Sequence, residues 1–261
     1  MNINSLVAIA GSPTVSVHED RQAMGRSAAR HVCSILRERI AAQGSVRVIF
    51  ACAPSQDEFL AELVAQSNGH VDWSLVVGFH MDEYVGLNAT HPASFRRYLF
   101  EHLLSKINIS DFHAIAADAT DVTAECDRYA TLIAQAPIDL ICLGIGENGH
   151  LAFNDPPVAN FADPVLAKVV ELDRVCRQQQ VNDGCFALLE DVPRHAITLT
   201  LPVFRQAAFL SVVVPGKRKS SAVARSLHDA ISTDCPATML RSHPDAMLFI
   251  DRAAAELIST P

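Results

Sequence analysis

The chain has 261 residues, of which 49% are hydrophobic and 19% are charged. This length can bury a full core, and the composition excludes a disordered protein. The formal net charge of -8 repels the polyanions of the cell, so we expect neither nucleic acid nor a membrane as a partner.

The hydrophobic pattern alternates between amphipathic stretches, which predict helices, and short apolar runs, which predict buried strands. In chain order the sequence predicts a helix over 20–40, a strand over 46–52, a helix over 55–64, a strand over 75–80, helices over 92–104 and 122–134, strands over 140–145, 197–201 and 209–214, a helix over 219–231, a strand over 246–250 and a helix over 252–258. Ser55 is the expected cap of the second helix, with Glu58 at the capping-box position.

Strands without polar alternation are buried on both faces, and helices between them indicate a mainly parallel sheet. The expected fold class is therefore α/β, a doubly wound, Rossmann-like sheet with helices on both faces, forming a single domain over 1–261. Ligands of such sheets bind outside the carboxyl ends of the strands.

The segment over about 156–188 interrupts the alternation and contains Pro156, Pro157 and Pro164. It follows the most motif-like stretch of the chain and is predicted to be a lid. An ordinary surface excursion would have the same composition, and composition alone does not separate the two.

Other features of the chain concern its compartment and its metals. The 7 cysteines are odd in number and form no Cys-x-x-Cys pair, which predicts reduced thiols in a cytoplasmic protein. No group of histidines and cysteines has zinc-site spacing, so no metal is expected. Residues 1–5 show no signal peptide, and the apolar runs are too short to span a bilayer.

Two carboxylates and a tyrosine follow the second predicted strand, in the string Phe-His-Met-Asp-Glu-Tyr-Val-Gly-Leu over 79–87. Partial burial at a strand end raises the pKa of a carboxyl group and makes Asp82 a candidate base. Position alone favours the simpler alternative, in which these residues cap a helix or form a turn.

A glycine-rich turn follows the third predicted strand, over 143–156. Its three closely spaced glycines, which include Gly149, permit a close approach of backbone to ligand. His150 has acids on both sides, Glu147 and Asp155, and could act as a general acid or base held by a carboxylate. The glycines alone are weak evidence, and the spacing does not name a reaction.

Three cations and a glycine lie between a predicted strand and a predicted helix, in the string Gly-Lys-Arg-Lys over 216–219. A helix start with a lysine beside it is a natural phosphate site. A solvated basic turn is the alternative, and in this acidic chain the two interpretations carry equal weight.

The strings Met-Asp-Glu-Tyr-Val-Gly-Leu and Gly-Ile-Gly-Glu-Asn-Gly-His-Leu-Ala-Phe-Asn-Asp-Pro resemble two signature segments of the glucosamine-6-phosphate deaminase family. Segments 90–95, 216–219 and 242–246 are also similar, so the likeness covers nearly the whole chain in order. The 6-phosphogluconolactonases share the fold and the Gly-His turn. The Met-Asp-Glu-Tyr string and the continuation over 152–154 favour the deaminase branch.

The resemblance implies that the chain converts an aminosugar 6-phosphate, glucosamine 6-phosphate or a close analogue, to a ketose phosphate and ammonia without a cofactor. Asp82 matches the carboxylate that abstracts the C2 proton, and His150 matches the histidine that assists ring opening. Asp155 occupies the place of a family glutamate that tunes this histidine. Arg174 matches a lid arginine that grips phosphate, and Lys219 matches a phosphate-site lysine.

Two departures from the family pattern concern the same functions. Asn148 replaces an aspartate before the Gly-His pair, and an amide cannot stabilise imidazolium by charge. Glu147 would supply that charge only if the turn were rearranged, so Asn148→Asp is expected to raise turnover. The first phosphate loop reads Cys-Ala-Pro-Ser over 52–55 instead of a glycine-rich string, which leaves Ser55 as the expected hydroxyl donor.

The resemblance leaves three functions open. The chain is an active deaminase, a catalytically weak sugar-phosphate-binding homologue, or a lactone hydrolase of the 6-phosphogluconolactonase type. Retention of Asp82, His150, Arg174 and Lys219 favours an enzyme, and Asn148 is the main argument against ordinary deaminase turnover. A homo-oligomer is possible, since the family includes monomers and hexamers.

Overall fold

The computed structural model describes residues 13–258 and the backbone of a short strand over 5–7, so the predictions on residues 1–4 lie outside it. The described strands are β1 (Ser5–Val7), β2 (Thr14–His18), β3 (Val46–Phe50), β4 (Val76–His80), β5 (Asp82–Tyr84), β6 (Asp111–His113), β7 (Leu140–Leu143), β8 (Ala167–Glu171), β9 (His195–Leu199), β10 (Phe209–Val214) and β11 (Ala246–Asp251). The described helices are α1 (Arg21–Gln43), α2 (Asp57–Ser67), α3 (Phe95–His102), α4 (Val122–Ala134), α5 (Arg174–Asn182), α6 (Leu201–Gln206) and α7 (Ser220–His228).

The main sheet has eight strands in the order β1-β2-β11-β10-β7-β3-β4-β6. All neighbouring pairs are parallel except β1 and β2 at one edge. Buried apolar residues form one core cluster on each side of this sheet. The predicted α/β fold with a mainly parallel, doubly covered sheet is confirmed.

A second sheet contains β5, β9 and β8, paired antiparallel. The strand predicted over 197–201 is β9, so its expected place in the main parallel sheet is wrong. Residues 196–199 are buried, and burial on both faces looks the same in a run of letters whichever sheet supplies the neighbours. The pairing of Asp82 with Thr198 carries the chain from β4 out of the main sheet.

Helix ends follow the local capping chemistry. Asp20 caps α1 by accepting from the backbone N–H of Ala23, and Gly44 ends it in the left-handed conformation at φ 82°. The prediction of α4 over 122–134 is confirmed, with Asp121 as its cap.

Two helix predictions are wrong in detail. Helix α2 begins at Asp57 without a side-chain cap, because Pro54–Gln56 form a 3₁₀ turn first. Glu58 pairs with Arg21 at 2.7 Å instead of completing a capping box. Residues 252–257 form turns rather than a helix, and the Asp251 carboxylate accepts from both Ala254 and Gly216.

The predicted lid over 156–188 contains two regular elements that the sequence did not indicate, β8 and α5. Strand β8 is an edge of the second sheet, and α5 is capped by Asp173, which accepts from the backbone N–H of Cys176. Across the described residues, no helix is both long and apolar enough to cross a membrane.

Candidate active site

A cavity opens at the carboxyl ends of β3, β4, β7 and β10, where the sheet topology directs the loops that follow these strands. Its wall includes the following polar side chains: Ser55, Gln56, Asp82, His150, Gln180 and Lys219. Four of the predicted site residues therefore share one cavity, as the sequence required of an acid and an imidazole that act on one ligand.

Asp82 is the first residue of β5 and is 6% exposed. Burial raises its pKa well above the usual range of an aspartate, and the nearby charges of Glu83 and Asp155 act in the same direction. A carboxyl group with a raised pKa binds a proton more tightly than an exposed one, which suits a group that accepts and returns a proton.

Glu83, the neighbouring acid, has a structural task. Its carboxylate accepts from the backbone N–H groups of Phe95 and Arg96 at 3.1 and 3.0 Å, and from the Ser94 hydroxyl at 2.8 Å. The two backbone N–H groups lie in the first turn of α3, where a helix supplies no carbonyl partner for them. The alternative of a helix-capping acid thus applies to Glu83, while Asp82 faces the cavity.

His150 lies against the glycine-rich loop that follows β7. A Cβ atom on Gly146 would overlap the imidazole ring, so glycine is required for this contact. Gly149 has φ 90°, and a side chain there would overlap the sulfur of Cys235. Gly149 therefore shapes the turn and is not among the described residues that line the cavity.

Asp155 and Asn148 hold one side of the His150 imidazole. Nδ1 of His150 is 2.7 Å from Oδ1 of Asn148 and 2.9 Å from Oδ1 of Asp155. Since both neighbours are acceptors, Nδ1 carries the proton and Nε2 is left as the basic nitrogen. Nδ2 of Asn148 also donates to Oδ1 of Asp155 at 2.8 Å.

The chain returns from His150 to Asp155 through a tight reversal. Ala152 has φ 49°, in the left-handed region that is uncommon for residues with a side chain. Asn154 closes the reversal by donating to the carbonyl oxygens of Leu151 and Leu199 at 2.9 and 2.8 Å.

The Asp155 carboxylate is ionised beside the imidazole. Burial acts to raise its pKa, but the charge of His150 and hydrogen bonds from His150 and Asn148 outweigh burial and lower the pKa. The carboxylate of Glu147 lies 3.5 Å from Arg218, and within residues 13–258 it forms no ion pair with His150. The carboxylate partner of His150 is therefore Asp155.

Lys219 and Ser55 approach the cavity from two different loops. Lys219 ends the 3₁₀ turn Lys217–Lys219 and is 6% exposed, and burial lowers its pKa. Its neighbours Lys217 and Arg218 are paired with Glu256 and Asp183. No ion pair occupies Lys219 within residues 13–258, so its ammonium group is available to an anion.

The first residue of α5, Arg174, is exposed and is not among the described residues that line the cavity. The opposite end of α5 does reach it through Gln179 and Gln180. Gln179 accepts from the backbone N–H of Glu147 at 2.9 Å. Sequence reasoning missed both glutamines, because a polar run on an amphipathic helix carries no signal of its own.

A group that could bind a cation lies behind His150. A ring nitrogen of His150, a carboxylate oxygen of Asp155 and the sulfur of Cys176 are within 4.8 Å of one another. Cys176 is on α5 and is fully buried. The group therefore joins the glycine-rich loop to the predicted lid.

Known proteins resemble this chain in sequence and in fold. The model of the family "Glucosamine-6-phosphate isomerases/6-phosphogluconolactonase" matches residues 19–249. The chain is 37% identical to a glucosamine-6-phosphate deaminase of Exiguobacterium sibiricum, over 72% of this chain and 73% of the relative. It is 35% identical to one of Listeria monocytogenes, over 82% and 89% of the two chains.

Solved structures give the same result at the level of the fold. A monomeric glucosamine-6-phosphate deaminase superposes with a TM-score of 0.86 at 27% identity, covering 93% of this chain and 99% of the other. A 6-phosphogluconolactonase from Trypanosoma brucei has a TM-score of 0.78 at 19% identity, covering 98% and 100%, and shares the fold alone. This chain belongs to the glucosamine-6-phosphate isomerase/6-phosphogluconolactonase family.

Proposed function

We propose that this protein is a glucosamine-6-phosphate deaminase, which converts glucosamine 6-phosphate and water to fructose 6-phosphate and ammonia. The observation that carries the proposal is the shared cavity, in which Asp82 and His150 lie with Ser55 and Lys219. The deaminases at 35% and 37% identity support the same activity.

The phosphate group binds between Lys219 and Ser55. A buried ammonium group without an ion pair gains most from a phosphate dianion, because the cavity screens the pair less than water does. The Ser55 hydroxyl adds a neutral donor. Phosphate binding supplies energy far from the reacting carbons and orients the sugar toward Asp82 and His150.

His150 opens the sugar ring. Its free Nε2 accepts the proton of the anomeric hydroxyl, and the imidazolium then returns this proton to the ring oxygen as the bond between C1 and the ring oxygen breaks, which leaves an open-chain aldehyde. The ionised carboxylate of Asp155 stabilises the imidazolium that forms, and Asn148 holds that carboxylate in place through its amide N–H.

Asp82 transfers the proton between carbons. It removes the C2 proton, which the adjacent carbonyl acidifies, and delivers it to C1. In the same rearrangement the oxygen on C1 gains a proton and the nitrogen on C2 loses one, through solvent, which gives a C1 hydroxyl group and a C2 imine. The imine adds water and releases ammonia, so the atoms balance without a redox step. Burial raises the pKa of Asp82 and keeps the transferred proton on the carboxyl group until C1 accepts it.

Residues 156–188 act as a lid in this proposal. Gln179 and Gln180 already form part of the cavity wall, which supports a role of α5 in closing the site. Movement of α5 over the bound sugar would exclude water from the proton transfer and bring Arg174 nearer to the phosphate group.

The test uses the purified protein with glucosamine 6-phosphate and, separately, with 6-phosphogluconolactone. Ammonia, fructose 6-phosphate and acid release are measured for the wild type and for Asp82→Asn. The proposal predicts equal amounts of ammonia and fructose 6-phosphate from the wild type. It predicts a loss of at least about 10³-fold in Asp82→Asn, because the amide cannot accept a proton.

Other outcomes assign the remaining functions. Lactone hydrolysis without ammonia would identify a 6-phosphogluconolactonase-type hydrolase. Saturable binding of glucosamine 6-phosphate without turnover would identify a sugar-phosphate-binding homologue.

A further inference from the structure

His150 and two neighbouring side chains, Asp155 and Cys176, supply an imidazole, a carboxylate and a thiol, which are the three types of ligand that Zn²⁺ prefers. A ring nitrogen of His150, an oxygen of Asp155 and Sγ of Cys176 lie within 4.8 Å of one another, and all three residues are buried. Nδ1 is the ring nitrogen that faces Asp155, at 2.9 Å from Oδ1. Within residues 13–258, no other group of three or more histidine, cysteine and acidic side chains is this close.

The buried carboxylate of Asp155 supplies a second observation at the same place. Among the residues that the structure describes, none donates a regular hydrogen bond to Oδ2 of Asp155, which is buried in a residue that is 1% exposed. The Cys176 thiol contacts this carboxylate, an interaction that lowers the pKa of Asp155 and raises the pKa of the thiol. Because an S–H group is only a weak donor, this contact satisfies the carboxylate in part. A buried carboxylate oxygen without a strong donor is costly, and a cation would satisfy it.

We propose that His150, Asp155 and Cys176 form an inhibitory zinc site, with water as the fourth ligand. Bond lengths of roughly 2.0–2.3 Å place the ligand atoms of a tetrahedral zinc ion about 3.3–3.8 Å apart, so small side-chain shifts suffice. One carboxylate and one thiolate neutralise the ion, which limits the cost of burying it.

Zinc binding would change which imidazole nitrogen is basic. The ion takes the lone pair of Nδ1, so the imidazole proton moves to Nε2 through solvent. The Cys176 thiol loses its proton as the Zn–S bond forms, because a coordinating thiol ionises. One proton is released for each ion bound, and Nε2 can no longer accept the proton of the anomeric hydroxyl.

This inhibition rests on the proposed function, but zinc binding does not. The test begins with the full-length protein freed of metal by a chelator. ZnCl₂ is then titrated by calorimetry in buffers of different ionisation enthalpy, and CoCl₂ is titrated by absorption spectroscopy. The expected results are one ion and one released proton per chain, a thiolate-to-cobalt charge-transfer band, and loss of ammonia formation that a chelator reverses.

Cys176→Ser is the diagnostic variant, and Cys185→Ser is its matched control. Cys185 lies in the same predicted lid but outside the cluster. Cys176→Ser is expected to abolish the charge-transfer band and to weaken zinc binding at least about tenfold. The control is expected to keep the band, the affinity and the inhibition.

Three results would overturn the site: no stoichiometric binding to the wild type, a charge-transfer band that survives in Cys176→Ser, or X-ray absorption of the zinc-bound wild type that shows no sulfur ligand. The absorption measurement needs no variant, so a misfolded Cys176→Ser does not block the test. If the protein proves inactive as a deaminase, the binding and spectroscopic results still decide the site.

Discussion

The imidazole of His150 fits in its position because residue 146 is a glycine, which has no side chain. A methyl group at position 146 would occupy the same space as the ring. His150 would then have to leave Asp155, and a displacement of about 1 Å from a reacting group can cost about 10²-fold in rate.

We therefore expect Gly146→Ala to lower kcat/KM for glucosamine 6-phosphate by about 10²-fold or more. Gly144→Ala is the matched control, because its Cβ would come nearest to the flexible amide of Gln56, at 3.1 Å, and would lie at ordinary contact distance from the Val213 carbonyl oxygen, at 3.4 Å, and the Ser55 hydroxyl, at 3.6 Å. Steady-state kinetics with circular dichroism of both variants separates a local displacement from unfolding. Equal losses in the two variants would contradict this role of Gly146.

The structure gives Asn148 a role that the sequence did not indicate, as a hydrogen-bond donor to Asp155. Its amide donates to the carboxylate of Asp155, which already supplies the negative charge beside His150. An aspartate at this position would remove that donor and place two carboxylates against each other. On this geometry we expect Asn148→Asp to lower turnover, the opposite of the expectation from the sequence.

We expect Asn148→Asp to reduce kcat about tenfold, the equivalent of one charge-assisted hydrogen bond. The acid limb of the pH–rate profile should also move to higher pH, because a second carboxylate stabilises the imidazolium. Measured pH profiles of kcat test both effects. A rise in kcat would show that the extra charge matters more than the lost donor.

Among the elements, α5 is held to the rest of the site at its C-terminal end. Arg218 pairs with Asp183 at 2.9 Å and donates to the carbonyl oxygen of Asn182 at 3.1 Å. Gln179 adds a contact with the glycine-rich loop. The basic turn that carries Lys219 is therefore linked directly to the predicted lid.

Arg218→Ala should release α5 without changing the chemical groups. We expect faster amide hydrogen exchange over residues 174–182 and a rise in KM of about two- to fivefold, in line with an exposed ion pair. Lys217→Ala removes the same charge from a side chain that pairs with Glu256 instead. If both variants raise KM equally, net charge explains the effect and the tether does not.

Sequence reasoning succeeded for elements whose signals are local. Helix α4 has both a cap and an amphipathic face, and β10 is an apolar run that only Ser211 interrupts. It failed where the outcome depends on distant partners. Strand β9 belongs to the second sheet because β5 and β8 lie beside it, and no local pattern encodes those neighbours.

The site shows the same division. Asp82, His150 and Lys219 were predictable because strand ends and motif likeness mark them. The pairing of Asp155 with His150 depends on the left-handed turn at Ala152. An alanine in the sequence does not predict that conformation, because positive φ values are found mainly at glycine and asparagine.

At the level of the whole molecule, the buried carboxyl group of Asp82 lowers the free energy of unfolding at neutral pH. Burial raises the pKa of Asp82 above its value in an unfolded chain. Such a group favours the folded state fully below the unfolded pKa, about 3.9, and this contribution is lost as pH rises through the folded pKa.

Asp82→Asn should therefore be more stable than the wild type at neutral pH, because an amide does not ionise. The difference should shrink as pH falls toward about 4. Urea unfolding of both proteins at several pH values measures it. A variant that is less stable than the wild type at every pH would contradict an uncompensated buried carboxylate.

A crystal structure with the reduced, open-chain analogue of glucosamine 6-phosphate would show whether Asp82 and His150 face one bound sugar. We expect phosphate between Lys219 and Ser55, C2 about 3–3.5 Å from a carboxylate oxygen of Asp82, and an oxygen on C1 or C5 hydrogen-bonded to Nε2 of His150. An analogue that binds elsewhere, or that contacts only one of Asp82 and His150, would rule out the proposed active site.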